Sequence, residues 1–411
     1  MDEVQMKPYQ KKAGQNMKTN SSRSTLVGLA MVAAVVLTGL CITSEAKGAK
    51  PPPPPPLPVD TGYVYYLRSI YLNGQYSPAA LWSMQPDGAA KQQVMPDLFV
   101  YAGNRQPWEP SRLRHNGARW FLGLEQTGGS DPDGFPHFEL FAVSESGLKV
   151  QLTDDLTLQA WTGGITPQAA VPRWTVRAGV VDGRISFLGR RWVESGGQPV
   201  ATDVGVYVLD FDPDLLGVLN VQGQPVLPPL TPSLWVRIHK VDPCTIDPAS
   251  GRCGAWAPVG GMDWSPNGRY FVLADDVYPK LFVVDTAAQT DLDVDDPQTP
   301  FIANDLSFGP RWSPDGTEIA YQSGAWSTAR INAVKPDGTG KRTILSLSSK
   351  GTQNFDHFFW SPHGSHVVFG IAEQVRATFG HAIERVARDG SGRTVLSPKG
   401  LDDLRPVGWL E

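Results

Sequence analysis

From Tyr63 onward, apolar and polar positions change places in short runs, and no stretch carries a long 3.6-residue apolar period. The clearest runs are VYYLRS, WFLGLE, ISFLGRR, YFVLAD, EIAYQS and HVVFGI. Their β-branched and aromatic residues suit a pleated, half-buried strand. Each run is followed by a second one that ends in turn residues: ALWSMQPDG, ELFAVSESG, GVYVLDFDP, KLFVVDT, RINAVKPDG and IERVARDG. Pairing each first run with its second predicts six two-strand units.

A repeat organises these units. Trp264–Gly268 (WSPNG), Trp312–Gly316 (WSPDG) and Trp360–Gly364 (WSPHG) place their tryptophans 48 residues apart, twice over. A period of this length, with several short strands per copy, marks the blades of a β-propeller. Weaker copies precede them. Leu113–Gly117 leads into ARWFLGLE with Leu in the Trp position, and Pro172-Arg173-Trp174 matches Pro310-Arg311-Trp312. The first unit has no inner strand of its own, but Arg405–Trp409 lies where the next one is due. Trp409 follows Trp360 by 49 residues. The fold class expected is therefore all-β: a six-bladed β-propeller closed by a C-terminal strand that joins the first blade. Such closure leaves no major sheet edge unpaired.

Turn chemistry explains the motif. The Trp ends an inner strand and fills the space between blades, while Pro and Asp set the turn. The Gly accepts a positive φ before the next strand starts. Asn267 and His363 replace Asp315 at the same place. MDWSPNGRYFVLA, WSPDGTEIAYQSG and FFWSPHGSHVVFG resemble the PD40, or WD40-like, repeats of TolB-like propellers. The resemblance covers about residues 60–411. It implies a fold, and its motif residues pack and turn rather than react.

The segment before the repeat is of another kind. Lys7, Lys11, Lys12, Lys18 and Arg23 precede an uncharged apolar stretch from Leu26 to Ile42, with small residues at Ser44 and Ala46. Residues 1–46 read as a signal peptide or as a membrane anchor, and both readings stay open. Residues 47–60 hold the run Pro51 to Pro56, a stiff polyproline II linker. Residues 61–411 form the propeller. Cys244 and Cys253 sit in a Pro/Gly-rich loop and are expected to form a disulfide, as an oxidising compartment allows. The expected location is periplasmic or extracellular, with residues 26–42 as the only membrane contact. With Lys+Arg 36 against Asp+Glu 41, the chain gains nothing from phosphate neutralisation, which excludes nucleic acid as a partner.

Candidate chemistry is sparse. There is no G-x-S-x-G elbow and no H-E-x-x-H motif. Gly338-Thr-Gly-Lys341 lacks the upstream Gly of a phosphate loop and reads as a hairpin turn. His363 and His366 give H-x-x-H, but one is a turn residue and the other begins a strand, so no metal site is expected. Asp356 and His357 come just before an inner strand, where loops open onto one mouth of the channel. Asp305 and Asp263 hold similar places in neighbouring blades, as do Asp402 and Asp403 at closure. These six are the candidate ligand-binding residues, and no cofactor or catalytic residue is assigned. DLDVDDP, from Asp291, lacks the Gly and terminal Glu of a calcium loop and reads as a solvated outer loop. The long segment between Val208 and Val259 exceeds an ordinary linker, and its Leu234, Trp235 and Ile238 are expected to cap the ring or to meet a partner.

With export and no catalytic motif, the expectation is a non-enzymatic scaffold for an envelope protein, a peptide or a glycan. The alternative is a propeller enzyme, of lyase or hydrolase class, acting on a saccharide or small metabolite at the channel.

Overall fold

The computed structural model describes residues 59–72, 75–77, 79–95, 114–115, 118–130, 136–154, 158–160, 173–177, 180–210, 212–239, 246–247, 252–253, 259–275, 280–288, 291–294, 296, 298–305, 307–324, 328–347, 353–375 and 378–410. All belong to a unit that runs from Pro56 to Glu411. The leader, the proline run and Cys244 lie outside the described residues. So does the sulfur of Cys253, whose backbone pairs with Ile246 in a two-stranded hairpin. Among the described residues, no helix is long and apolar enough to cross a membrane.

The protein is an all-β, six-bladed propeller with almost no helix. Each predicted pair of runs is an antiparallel pair. Tyr66 faces Trp82, Phe121 faces Val143 and Phe187 faces Tyr207 in the first three blades. Leu273 faces Phe282, Tyr321 faces Asn332 and Phe369 faces Glu384 in the last three. The complete blades add an inner and an outer strand. The fifth runs Ser307–Trp312, Ile319–Ser323, Arg330–Val334, Arg342–Ser346, and the sixth runs Gln353–Trp360, His366–Val375, Thr378–Ala387, Thr394–Gly400. In the first sheet, Asp403–Leu410 lies against Tyr63–Ser69, with Tyr63 opposite Leu410 and Ser69 opposite Asp403.

The core is a series of layers between blades, and the repeat tryptophans sit in them. Trp264 packs with Val206 and Val236 of the third blade, and Trp312 with Val272 and Leu281 of the fourth. Trp360 packs with Ala320 and Ile331 of the fifth blade, and Trp409 with Val368 and Ile383 of the sixth. Each ring thus removes its apolar area from water against the preceding blade, and its indole N–H takes a partner where one is in reach. Trp360 Nε1 donates to the Arg311 carbonyl at 3.1 Å, and Trp264 Nε1 donates to Ser186 Oγ. The turn that follows is held by its own side chains. Ser313 Oγ donates to Asp315 Oδ1 at 2.6 Å, the Thr317 amide donates to the same oxygen at 3.1 Å, and Gly316 takes φ of 70°. Ser265, Asn267 and the Arg269 amide repeat that arrangement in the fourth blade.

One segment departs from expectation. The stretch after Val208 does not cap the ring: Ser233–His239 adds to the third blade's sheet, antiparallel to Gln198–Asp210 and parallel to Asp291–Asp293. Val236 and Ile238 are buried against the fourth blade, and the Trp235 ring stacks on Trp264 at 5.0 Å. Alternation sends Val236 and Ile238 to the fourth-blade face and Arg237 to the other, while the register shift opposite Val206 and Tyr207 turns Leu234 to the cluster shared by the second and third blades.

Candidate functional site

Two of the six candidate residues come together where the C-terminal strand begins. Asp402 lies in the bend before that strand and accepts from Arg68 Nε at 2.9 Å and from the Tyr71 amide at 3.2 Å. The Arg68 guanidinium lies 4.8 Å from the centre of the Trp82 ring, a cation–π contact that holds the ion pair in place. Asp403 is the first residue of the strand and is buried. Alternation sends Arg405 to the same side, and its Nε donates to Asp403 Oδ1 at 3.2 Å. His381, from the third strand of the sixth blade, brings Nδ1 to 3.5 Å from that oxygen. At that distance the two groups face each other without a hydrogen bond. Opposite Asp403 stands Ser69, 1% exposed, whose hydroxyl has no hydrogen-bond partner among the described residues. A buried hydroxyl left unpaired costs about 1–3 kcal/mol, so it marks a place where a further polar group would be welcome.

The arrangement has the parts of acid–base chemistry. An imidazole that faces a buried carboxylate is a pairing that acid–base chemistry uses. Arg405 and Arg68 add fixed positive charge that suits a carboxylate or other anionic group. Sequence reading missed His381. The available signal was a histidine at an inward position of FGHAIERVA, two residues from the fully buried Ile383.

The other candidates are placed elsewhere. Asp305 precedes the inner strand Ser307–Trp312 and accepts from Tyr321 Oη at 3.0 Å and Asn332 Nδ2 at 3.2 Å, while Lys341 Nζ pairs with it at 2.9 Å. It braces the fifth blade from within. Burial pushes the Tyr321 phenol far above its usual range, and the Asp305 charge and hydrogen bond add to that. Asp263 lies inside the strand Val259–Trp264 and accepts from the Trp312 amide at 2.8 Å, which ties two inner strands together. Asp356 and His357 are also within a strand, Gln353–Trp360, not in a loop before one. They fall in a β-bulge, since Phe355 faces Ile371 and Phe358 faces Phe369. His357 is buried at 1% exposure, and the side chain of Asp356 lies outside the described residues. No group of three or more His, Cys, Asp or Glu among the described residues is placed to hold a metal ion.

A scan against protein-family models finds no match, and a search of curated proteins finds none either. Among solved structures, the chain is similar to a periplasmic gluconolactonase of Pseudomonas aeruginosa, at 14% identity and a TM-score of 0.42, over 81% of this chain and 82% of that one. A proposed 6-phosphogluconolactonase of Bacteroides fragilis gives 14% identity and a TM-score of 0.41, over 84% and 97% of the two chains. Oligogalacturonate lyase of Vibrio parahaemolyticus gives 11% and 0.39, over 82% and 72%.

These neighbours are named as enzymes, and the expectation of a non-enzymatic scaffold for an envelope protein, peptide or glycan is not carried further. That expectation rested on export and on missing motifs, and side chains brought together from different blades leave no motif to find. At this level of identity no reaction, substrate or residue role passes from those proteins to this one.

Proposed function

We propose that this protein is a propeller enzyme of the lyase or hydrolase class, acting on a saccharide or small metabolite where the first and sixth blades meet. The observation that carries the reading is the buried Asp403 facing His381 Nδ1 at 3.5 Å, with Arg405 on the same carboxylate. In this reading His381 takes up or delivers the proton beside the Asp403 carboxylate. Arg68 and Arg405 orient an acidic or hydroxylated substrate. Ser69 Oγ, buried and without a partner among the described residues, gives the substrate a further hydrogen bond. The ring is TolB-like, spans residues 61–411 and closes through the C-terminal strand. Residues 1–46 deliver or anchor it, residues 47–60 space it, and it works in the periplasm or outside the cell.

The test is turnover by the full-length chain of two substrate sets, sugar lactones and uronate-containing oligosaccharides. Acid release reports hydrolysis of the first, and absorbance of an unsaturated product reports elimination in the second. H381A is expected to lower kcat by about 10²- to 10⁴-fold, the usual share of a general acid–base group. H239A, at an exposed histidine paired with Asp291, should leave kcat unchanged. Absence of turnover on both sets, or H381A activity equal to wild type, overturns the reading.

A further inference from the structure

The turn of the sixth blade lacks the acid that the fifth blade uses. In the fifth, Asp315 accepts from the hydroxyls of Ser313 and Thr317, at 2.6 and 2.9 Å, and from the Thr317 amide. The corresponding residues in the sixth are Ser361, His363 and Ser365, so both hydroxyls are kept and the carboxylate is gone. Imidazole cannot accept from a serine two residues back and an amide two residues ahead as a carboxylate does.

A carboxylate nevertheless stands there. Asp60, from the segment entering the first blade, accepts from the Ser365 hydroxyl, from the His363 amide at 3.1 Å and from Ser361. His366 Nδ1 lies 3.0 Å from it. The Asp60 side chain is 3% exposed. Burial alone would raise its pKa, but the hydrogen bonds from Ser365, His366, Ser361 and the His363 amide win, and the carboxyl is held below its ordinary range. The next residue is fixed as well, since Trp409 Nε1 donates to the Thr61 carbonyl at 2.7 Å. We propose that Asp60 is the missing turn carboxylate of the sixth blade, supplied from the other end of the ring, and that residues 60–62 are a strap that locks the last blade to the first.

The neighbouring seam shows why the substitution is useful. Between the fifth and sixth blades, the acids Asp315 and Glu318 lie on the turn and the cation Arg388 reaches across to them. At the sixth-to-first seam the acid comes from the other side. His363 and His366 occupy the positions of Asp315 and Glu318, and the acid Asp60 reaches across. The sixth turn therefore matches the entering segment and not another blade's arginine, which distinguishes the closing seam from the fifth-to-sixth one. The H-x-x-H pair is explained by this arrangement.

Thermal unfolding of the full-length chain tests the strap through a cycle of D60A, H363D and the double variant. D60A is expected to lower Tm by about 3 °C or more, as loss of charge-assisted hydrogen bonds does in a chain of this size. H363D alone should lower Tm, because two carboxylates then compete for the same hydroxyls. In the D60A background the same substitution should raise Tm, since the turn regains an acid of its own. That reversal of sign identifies Asp60 as the turn carboxylate. An unchanged Tm for D60A, or an H363D effect of one sign in both backgrounds, overturns the proposal. If D60A does not fold, D60N takes its place in the cycle and is read the same way.

Discussion

Gly88→Ala is expected to lower the unfolding free energy by about 3 kcal/mol or more, whereas Gly147→Ala should cost about 1 kcal/mol. Both glycines sit in the turn after a blade's third strand, and both have left-handed backbone, with φ of 88° and 89°. An alanine therefore pays the same conformational penalty at each, on the order of 1–2 kcal/mol. They differ in what a methyl would meet. At Gly147 nothing among the described residues lies within 4 Å, but at Gly88 a Cβ would stand 2.3 Å from the carbonyl oxygen of Leu396, in the outer strand of the sixth blade. That neighbour is backbone in a paired strand, so it cannot rotate away. Either the turn or the strand must move, and overpacking of this kind adds about 1–3 kcal/mol. Gly390 belongs with Gly88, its Cβ position being 2.5 Å from the Ile344 carbonyl of the fifth blade. Gly338 belongs with Gly147, because its closest approach, Ile302 Cα at 3.5 Å, is ordinary contact. Urea unfolding of the four variants checks the series. Equal losses at Gly88 and Gly147 would mean that the turns do not dock on the preceding blade.

The same glycines separate what is legible in the sequence from what is not. PDG and RDG are turn signals, and a φ above zero follows from them locally. That the turn touches the preceding blade does not, because it depends on how adjacent sheets twist and stack. The split runs through the whole protein. The six strand pairs and the WSP turns are readable, since alternation and turn chemistry act within a few residues. The strand Ser233–His239 is not, because its pattern is equally that of a buried cap. Its pairing with Gln198–Asp210 decides between them.

The candidate site divides in the same way. Asp402 and Asp403 are found from their place in the repeat. Their partners Arg68 and His381 come from the first and sixth blades, and only the packing of those blades selects them. Asp305 and Asp263 occupy similar repeat positions yet serve as braces, because a tyrosine, an asparagine and a lysine reach one and a neighbouring strand's amide reaches the other. Asp60 and its turn lie about 300 residues apart in sequence. A repeat aligned only with itself leaves such a substitution looking like a defect at His363.

Glu318→Ala should cost about 2–4 kcal/mol at neutral pH, and most of that loss should vanish in acid. Glu318 accepts from Arg342 at 2.8 Å and from Arg388 at 3.0 Å, and Arg388 also donates to Asp315 at 2.7 Å and to Thr317 Oγ1 at 2.7 Å. Arg342 donates in turn to the Arg388 carbonyl at 2.7 Å, so one carboxylate organises two guanidinium groups across a blade seam. Glu318 is 16% exposed and Arg388 19%, which keeps the energy above that of a surface pair but below that of a buried one. Alanine leaves both cations with one acid between them. Burial of Glu318 and Asp315 acts to raise their pKa values. The hydrogen bonds and charges of Arg342 and Arg388 at Glu318, and of Arg388, Ser313 and Thr317 at Asp315, outweigh it. Both carboxyls are therefore held below the ordinary range. A group depressed in the folded state stabilises above its unfolded pKa, about 4, and loses that stabilisation as the pH falls through its folded value. The difference between wild type and Glu318→Ala should accordingly be full at pH 7 and shrink progressively below about pH 4. Urea unfolding of the pair at both ends of that range separates charge from packing. A loss independent of pH would mean that the Glu318 side chain acts by filling space between the blades rather than by its charge.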